Sequence, residues 1–415
     1  MTSRTLPVLA LLMVGLPALA ENAWPYESTD FTARVGALAQ IQLQSMTDPV
    51  LAGTSDEFVV RRARIYAAGT VGRNIEWRLD TDDANQGRLA GNTSGSKNLT
   101  GIYLQDVVLT VLFSPALKLD SGLLVVDPSH HATIGATRLY AWDTFTYQGL
   151  QATALQDNSP AIQNNRELGV QARGLLLGGR LEYHLALTNG YRNGANDSNG
   201  AQGNAGSGVT VVPGVTTLSA NNAFRTTARV QYNFLDNESA EYTTSGTYLG
   251  SRRIVSVSAG YDQQATYSQK VGEVFVDLPV HGGKDVCTLE ASYWAYDGGT
   301  FLPGLLKQKD FSIQAGYNFG KRWNPMIRYE SRRFAAPGDS ALGTPLKGAA
   351  WLDTPADFNE NREGLGFAYW FHGHNANFKA FYINVLPRNE ASLAGVSSGL
   401  RAYHQFVAQL QIYVF

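Results

Sequence analysis

Nine arginines recur on one face of segments whose polarity alternates, and they carry the clearest capacity for chemistry in this chain. With the phase taken from the apolar residues opposite, Arg62, Arg64, Arg78, Arg173, Arg180, Arg225, Arg229, Arg328 and Arg332 all point to the same side. A guanidinium is permanently charged and weakly hydrated, so a ladder of them concentrates anions and rejects cations. Glu76, Asp80, Glu167, Glu182, Glu290 and Glu330 fall on the same faces. Arginine–carboxylate ladders also brace a wall without choosing an ion, and bracing is the more frequent role for any one arginine. The excess of basic over acidic residues on these faces predicts a mild anion preference. Arg61 has the opposite phase from Arg62, so it reaches the same side only from a rim or a bulge.

Other constellations are weaker. His130 and His131 stand beside Asp127, but adjacent residues of an extended segment point apart, and no metal site is predicted. Asp143 and Tyr147 are candidates to line a constriction or simply to tie their segment to a wall. No phosphate-binding loop and no Gly-x-Ser-x-Gly elbow occurs. Scattered Ser and His leave a membrane hydrolase open, because catalytic triads are recognised by geometry and not by order. Cys287 is the single cysteine, so no internal disulfide forms; alternation with Leu289 and Ala291 gives it an outward position. No cofactor is implied.

The elements that must position the arginines are strands. Phe406 to Phe415 reads FVAQLQIYVF, with Phe406, Ala408, Leu410, Ile412 and Val414 apolar and Gln409 and Gln411 polar. Such alternation, with an aromatic last residue, suits a strand with lipid on one side and water on the other. The same pattern recurs at Ile75-Trp77-Leu79, Leu181-Tyr183-Leu185-Leu187, Phe311-Ile313-Ala315-Tyr317-Phe319 and Leu365-Phe367-Tyr369-Phe371. About sixteen segments of this kind are expected. The predicted fold is therefore all-β: a transmembrane antiparallel β-barrel with long loops on one side. One stretch, beginning at Asp127 to Thr137, reads as a loop folded inward to constrict it.

Long connections are expected over 86–98, 189–222 and 334–360, and tight turns at Leu177-Gly178-Gly179 and His281-Gly282-Gly283. Residues 1–20 read as a signal peptide: Arg4, an apolar core from Leu6 to Leu16, and Ala18-Leu19-Ala20 as the cleavage site. The barrel then occupies 21–415. Tyr 20, Phe 18, Trp 7 and Gly 42 suit a barrel with aromatic girdles. A slightly negative mean hydropathy is compatible with it, because alternation hides the lipid face. The net charge of −2 selects no partner, and nothing points to nucleic acid.

Several short runs resemble the phosphate-selective porin O and P family. Arg166-Glu167-Leu168-Gly169-Val170-Gln171 is similar to a strand entry of that family, and Thr188-Asn189-Gly190 ends the hairpin after it. Gly246-Thr247-Tyr248-Leu249-Gly250 and Ala259-Gly260-Tyr261-Asp262-Gln263-Gln264 are similar to its central hairpin, followed by Val274 to Pro279. Gly373-His374-Asn375-Ala376-Asn377-Phe378-Lys379 resembles its penultimate hairpin. The resemblance implies an outer-membrane porin of sixteen strands, a homotrimer among outer-membrane lipid and lipopolysaccharide. Small anionic or polar solutes, phosphate or other oxyanions among them, would cross it passively, and it would not be an enzyme. It also places Arg61 and Arg62 near the constriction. Leu38 and Ala39 replace an expected Gly-Arg pair, and Gly122 to Pro128 lacks a basic residue, which counts against phosphate selectivity. A barrel hydrolase, or a structural or binding barrel without free conductance, are the alternatives.

Overall fold

A computed structural model describes residues 30–47, 53–87, 101–146, 166–190, 209–212, 215–218, 223–299, 307–334, 359–388 and 402–415. Residues 1–20, expected to be a signal peptide, and much of the long connections lie outside these residues. In chain order the strands are β1 (Phe31–Thr47), β2 (Thr54–Val71), β3 (Ile75–Gln86), β4 (Tyr103–Ser114), β5 (Leu117–Val125), β6 (Arg166–Leu176), β7 (Leu181–Thr188), β8 (Val209–Val212) and β9 (Val215–Leu218). They continue with β10 (Arg225–Asn233), β11 (Ile254–Gln264), β12 (Tyr267–Val280), β13 (Asp285–Asp297), β14 (Gln308–Asn318), β15 (Trp323–Phe334), β16 (Asn359–His372), β17 (Ala376–Arg388) and β18 (Tyr403–Val414). β8 and β9 pair only with each other; the other sixteen form one closed antiparallel barrel.

Closure is made by β1 against β18, in register from Ala37 opposite Val414 to Met46 opposite Gln405. The alternation sets which face each residue takes. Leu410, Ile412 and Val414 are exposed on the outer wall, and Gln409 and Gln411 are buried inside. Across the seam the inward glutamines pair: Gln40 donates to Gln411 at 2.7 Å and Gln42 to Gln409 at 2.6 Å. Val35, Ile65, Leu109, Val230, Val274, Ile327 and Leu365 continue the exposed apolar exterior, which requires lipid around it. Cys287 is a free thiol. Aromatic contacts gather at the end with the tight turns: Phe31 stacks on Trp77, and Trp323 contacts Phe367 and Tyr369.

The expected asymmetry of loops holds with one inversion. β2–β3, β4–β5, β6–β7, β12–β13, β14–β15 and β16–β17 are joined by tight turns at one end, and most long connections leave the other. The link from β10 to β11, over 234–253, is long yet emerges at the tight-turn end and folds inside. Gly246 to Gly250, expected in a strand hairpin, belongs to this inward insert: Gly246 donates to the Arg138 carbonyl of the other insert and Tyr248 to the Asp277 side chain, and neither joins a strand ladder. The other insert, the first in chain order, runs from Val126 to Thr146 at the opposite end, where the sequence placed the constriction loop; the 234–253 link is the second.

At the seam, a Cβ on Gly36 would lie 2.1 Å from the carbonyl oxygen of Val414 and 2.5 Å from the ring of Phe415. We therefore expect Gly36→Val to impair closure, costing about 1–3 kcal/mol or more as other overpacking substitutions do. The check is the share of protein that keeps the compact gel mobility of a folded barrel when unheated.

Candidate pore interior

The interior is organised by an irregularity in β2. Gln40 is opposite Arg62 while Ile41 is opposite Val60, so Arg61 is an extra residue in this ladder. A bulge re-aims a side chain that strict alternation would send outward. Arg61 and Arg62 thus reach the same carboxylate: Arg61 Nε lies 2.8 Å from Asp143 Oδ2, and Arg62 Nη2 lies 2.7 Å from Oδ1. Burial disfavours ionisation of Asp143, but the two guanidinium charges outweigh it and hold the carboxyl well below its ordinary range. Arg62 also donates to Gln40 and Arg61 to Asn85.

The rest of the first insert is tied to the wall through its backbone. Lys379 on β17 donates to the carbonyls of Leu139 and Ala141, at 2.6 and 3.0 Å. Arg328 on β15 donates to those of Asp143 and Thr144, at 2.9 and 2.6 Å, and its guanidinium lies over the rings of Trp142 and Phe145. Gln40 and Gln411 reach the carbonyls of Ala136 and Thr137. Tyr140 donates to Asn324, and its hydroxyl occupies the space where Gly316 has no side chain.

At the root of this insert, Glu273 on β12 accepts from Ser129 Oγ, Ser258, Ser292 and the amides of His130 and His131. His131 Nε2 accepts the Phe145 amide at 2.9 Å, which makes Nδ1 the protonated nitrogen facing Glu290. His130 Nε2 lies 2.9 Å from Glu238, a residue of the second insert. Burial opposes the charge on His130, but Glu238 more than compensates and raises its pKa. Adjacent histidines do point apart, each to its own carboxylate, and no group of three metal-ligating side chains occurs among the described residues.

The two inserts are hydrogen-bonded to each other. Gly135 donates to the carbonyl of Thr244, Thr244 to that of Thr133, and Gly246 to that of Arg138. Arg138 pairs with Glu241 at 2.7 Å. Lys118 and Arg173 hold the second insert at the carbonyl of Ala240, and Thr247 donates to Asp277. Sequence reading missed this insert because Glu238 to Gly250 has neither a strand period nor a charge run.

The predicted arginines are placed as follows. Arg64 pairs with Asp82, Arg78 with Asp80, Arg173 with Asp120, Arg225 with Asp262, Arg229 with Glu182 and Arg328 with Glu330, at 2.7 to 3.2 Å. Arg332 is buried on β15. Arg180 is not on the inner wall: it closes the β6–β7 turn and is exposed, because the strand ends at Leu176. The expected basic excess is also reversed. Fifteen carboxylates but eight arginines and lysines are buried among the described residues. Asp106, Asp120, Asp262, Glu273, Asp277 and Asp310 supply much of the difference. Asp143 joins the constriction as anticipated, and Tyr147 lies outside the described residues. Ser129 Oγ donates to Glu273 and not to a histidine, and no Ser–His hydrogen bond occurs among the described residues.

No protein-family model and no curated protein matches the chain by sequence. The fold does match solved structures. The anion-selective porin from Comamonas acidovorans is 9% identical, with 93% of this chain and 100% of that one covered and a TM-score of 0.54. OmpF of Salmonella typhi, in complex with daunomycin, is 12% identical over 92% and 97%, also at 0.54. The outer membrane channel DcaP of Acinetobacter baumannii is 11% identical over 94% and 100%, at 0.51. The architecture is that of a porin barrel. At these identities the likeness concerns the fold, and the phosphate-selective family receives no support from it.

Two outcomes are expected. Asp143→Ala strands Arg62 in a buried site and should cost about 3–5 kcal/mol; Arg61→Gln with Arg62→Gln in the same chain should recover part of it in urea unfolding. Asp127 is the second case. Burial pushes its carboxyl from 3.8 to about 7, against the pull of Arg225 and the Ser129 amide, and with Asp262 and Glu273 adding repulsion. The folded state then holds this proton more tightly than the unfolded one. Its stabilisation is full below the ordinary carboxylate range and is lost as pH rises through about 7. The urea midpoint of wild type should fall over that window more than that of Asp127→Asn.

Proposed function

We propose that this protein is a passive channel of the bacterial outer membrane, through which small hydrophilic solutes diffuse. The observation that carries the reading is a closed barrel with an apolar outer wall, a polar and charged inner wall, and a loop held in the lumen by Arg61, Arg62, Arg328 and Lys379. A barrel built only as a sheath has no need of such a constriction. A catalytic barrel would gain from a serine in contact with a histidine, and Ser129 spends its hydroxyl on Glu273.

The anion preference expected from the arginines has weaker support. An arginine engaged by a carboxylate at 2.7 Å contributes little net potential to a passing ion. Arg173, clamped between Asp120 and the Ala240 carbonyl, serves to hold the second insert on the wall. Phosphate or other oxyanions would need guanidinium forks with free donors, and the pairs above leave few.

In planar bilayers the purified protein should show stepwise conductance; none at all would defeat the channel reading. Arg173→Gln separates bracing from filtering. It should lower the urea midpoint by an amount equivalent to about 3–5 kcal/mol and leave the reversal potential in a KCl gradient unchanged. A shift toward cations in this variant would restore Arg173 to the anion path.

A further inference from the structure

The tight turns are charged with one sign. Over 72–74, 115–116, 177–180, 281–284, 319–322 and 373–375 there is no aspartate or glutamate, whereas Arg73, Arg180, Lys284, Lys321 and Arg322 are cations. Lys284 on the β12–β13 turn and Lys321 and Arg322 on the β14–β15 turn are neighbours round the barrel, since β13 pairs with β14. Lys284 and Arg322 are exposed and Lys321 is half-buried, and none of the three forms an ion pair among the described residues. Asp285, next to Lys284 in the chain, is engaged by the Tyr317 hydroxyl and the Gly320 amide, both at 2.8 Å, and by His281 at 2.9 Å. At the far end of the same strands the signs are mixed, as in Lys307 with Asp297.

The outer wall beside these turns is graded by depth. Along β15 the turn residue Arg322 is followed by Trp323, 54% exposed, and then by Ile327, 62% exposed and about 13 Å further along the strand. Trp323 contacts Phe367 and Tyr369, Tyr369 contacts Phe371, and Tyr317 contacts Phe319, which together form an aromatic band over β14 to β16. Phe319 and Phe371 are exposed within it. Charge, then aromatic ring, then aliphatic side chain is the order met on passing from water through lipid headgroups into hydrocarbon. The three cations therefore lie at the level of the lipid phosphates.

We propose that this corner of the barrel binds an anionic phospholipid of the leaflet at the tight-turn end. Lys284, Lys321 and Arg322 hold its phosphate, and its acyl chains lie along the aromatic band. The proposal rests on the membrane placement in the reading above and not on conduction. A ligand for this surface has to meet the cations and an apolar wall that continues into hydrocarbon. A soluble anion meets only the first, and a lipid meets both. The guanidinium fork of Arg322 matches two phosphate oxygens, and each lysine adds a point charge. A zwitterionic headgroup brings its own ammonium to a surface that is already positive, so a headgroup with net negative charge, such as phosphoglycerol, is preferred.

The test uses tryptophan quenching in phosphatidylcholine vesicles that contain either phosphatidylglycerol or phosphatidylcholine with brominated acyl chains. The difference between wild type and Trp323→Phe isolates the signal of Trp323. That signal should report an association about fivefold or more in favour of phosphatidylglycerol. Lys284→Gln, Lys321→Gln and Arg322→Gln in one chain, with folded-barrel gel mobility confirmed, should bring the preference close to parity. Lys309→Gln, an exposed site at the long-loop end, should leave it unchanged. High salt should lower the preference of wild type, a reading that needs no variant. Equal quenching by the two lipids in wild type, or a preference that survives the triple substitution or high salt, overturns the inference. Quenching of Trp323 by neither lipid overturns it too, because the face is then covered by protein, such as a second copy of this chain. Conductance is read separately: a barrel that keeps the lipid preference but never conducts loses the channel reading alone.

Discussion

The constraint on which this structure depends is that no backbone N–H or C=O can be left unpaired in hydrocarbon. Strands satisfy it only when each has a neighbour on both sides, so β1 must find β18 and the sheet must close. Closure then dictates the rest. With lipid outside, each strand has to alternate, and the inner wall becomes a dense set of polar side chains whose own hydrogen bonds must be met. The glutamines of β1 and β18 meet theirs in pairs across the seam. Others are met by neighbouring wall side chains, as in Thr110 with Asp120 and Arg225 with Asp262, or by the two segments that enter the lumen.

Those segments are irregular, so their backbone groups cannot pair in a ladder and need partners from the wall. Arg328, Lys379, Gln40, Gln411 and Arg173 supply donors to their carbonyls, and Glu273 and Glu330 accept from their amides. This exchange explains why acids can outnumber bases in so buried an interior. Glu273 gathers five donors from hydroxyls and amides and needs no arginine. Charge pairing and loop anchoring are the same set of bonds, and a mutation in one cannot leave the other untouched.

The barrel was legible in the sequence because it depends on a period of two, which survives without any knowledge of contacts. Leu410, Ile412 and Val414 outside and Gln409 and Gln411 inside follow from that period alone. The bulge at Arg61 was legible as a contradiction: two adjacent arginines of opposite phase suit a common site only if the ladder slips. The inserts were read unevenly. The first has a recognisable position between two strands, whereas the second occupies a connection that ought to be a tight turn. The charge balance was misread for a related reason. Charges were counted where an apolar face made the phase plain and an arginine stood opposite it, so carboxylates such as Asp106, Asp262 and Asp310 went uncounted. Arg180 failed because a phase argument assumes that the strand continues, and β6 ends before it.

Entry of the two inserts from opposite ends changes what a constriction means here. In a barrel narrowed by one loop, that loop can shift against a rigid wall. Here Gly135, Thr244 and Gly246 join the inserts by their backbones, and His130 and Glu238 join them by their side chains, so displacing either one disturbs the other. The lumen then behaves as a packed interior, in which geometry moves between discrete arrangements and does not deform freely. In such an interior the number of charges is a poor guide to the ion that passes. Charges already engaged with each other present dipoles, whose fields fall off quickly, while an unengaged carboxylate presents a monopole. Most of the buried guanidinium groups here are engaged in this way, so the arginines act first as anchors.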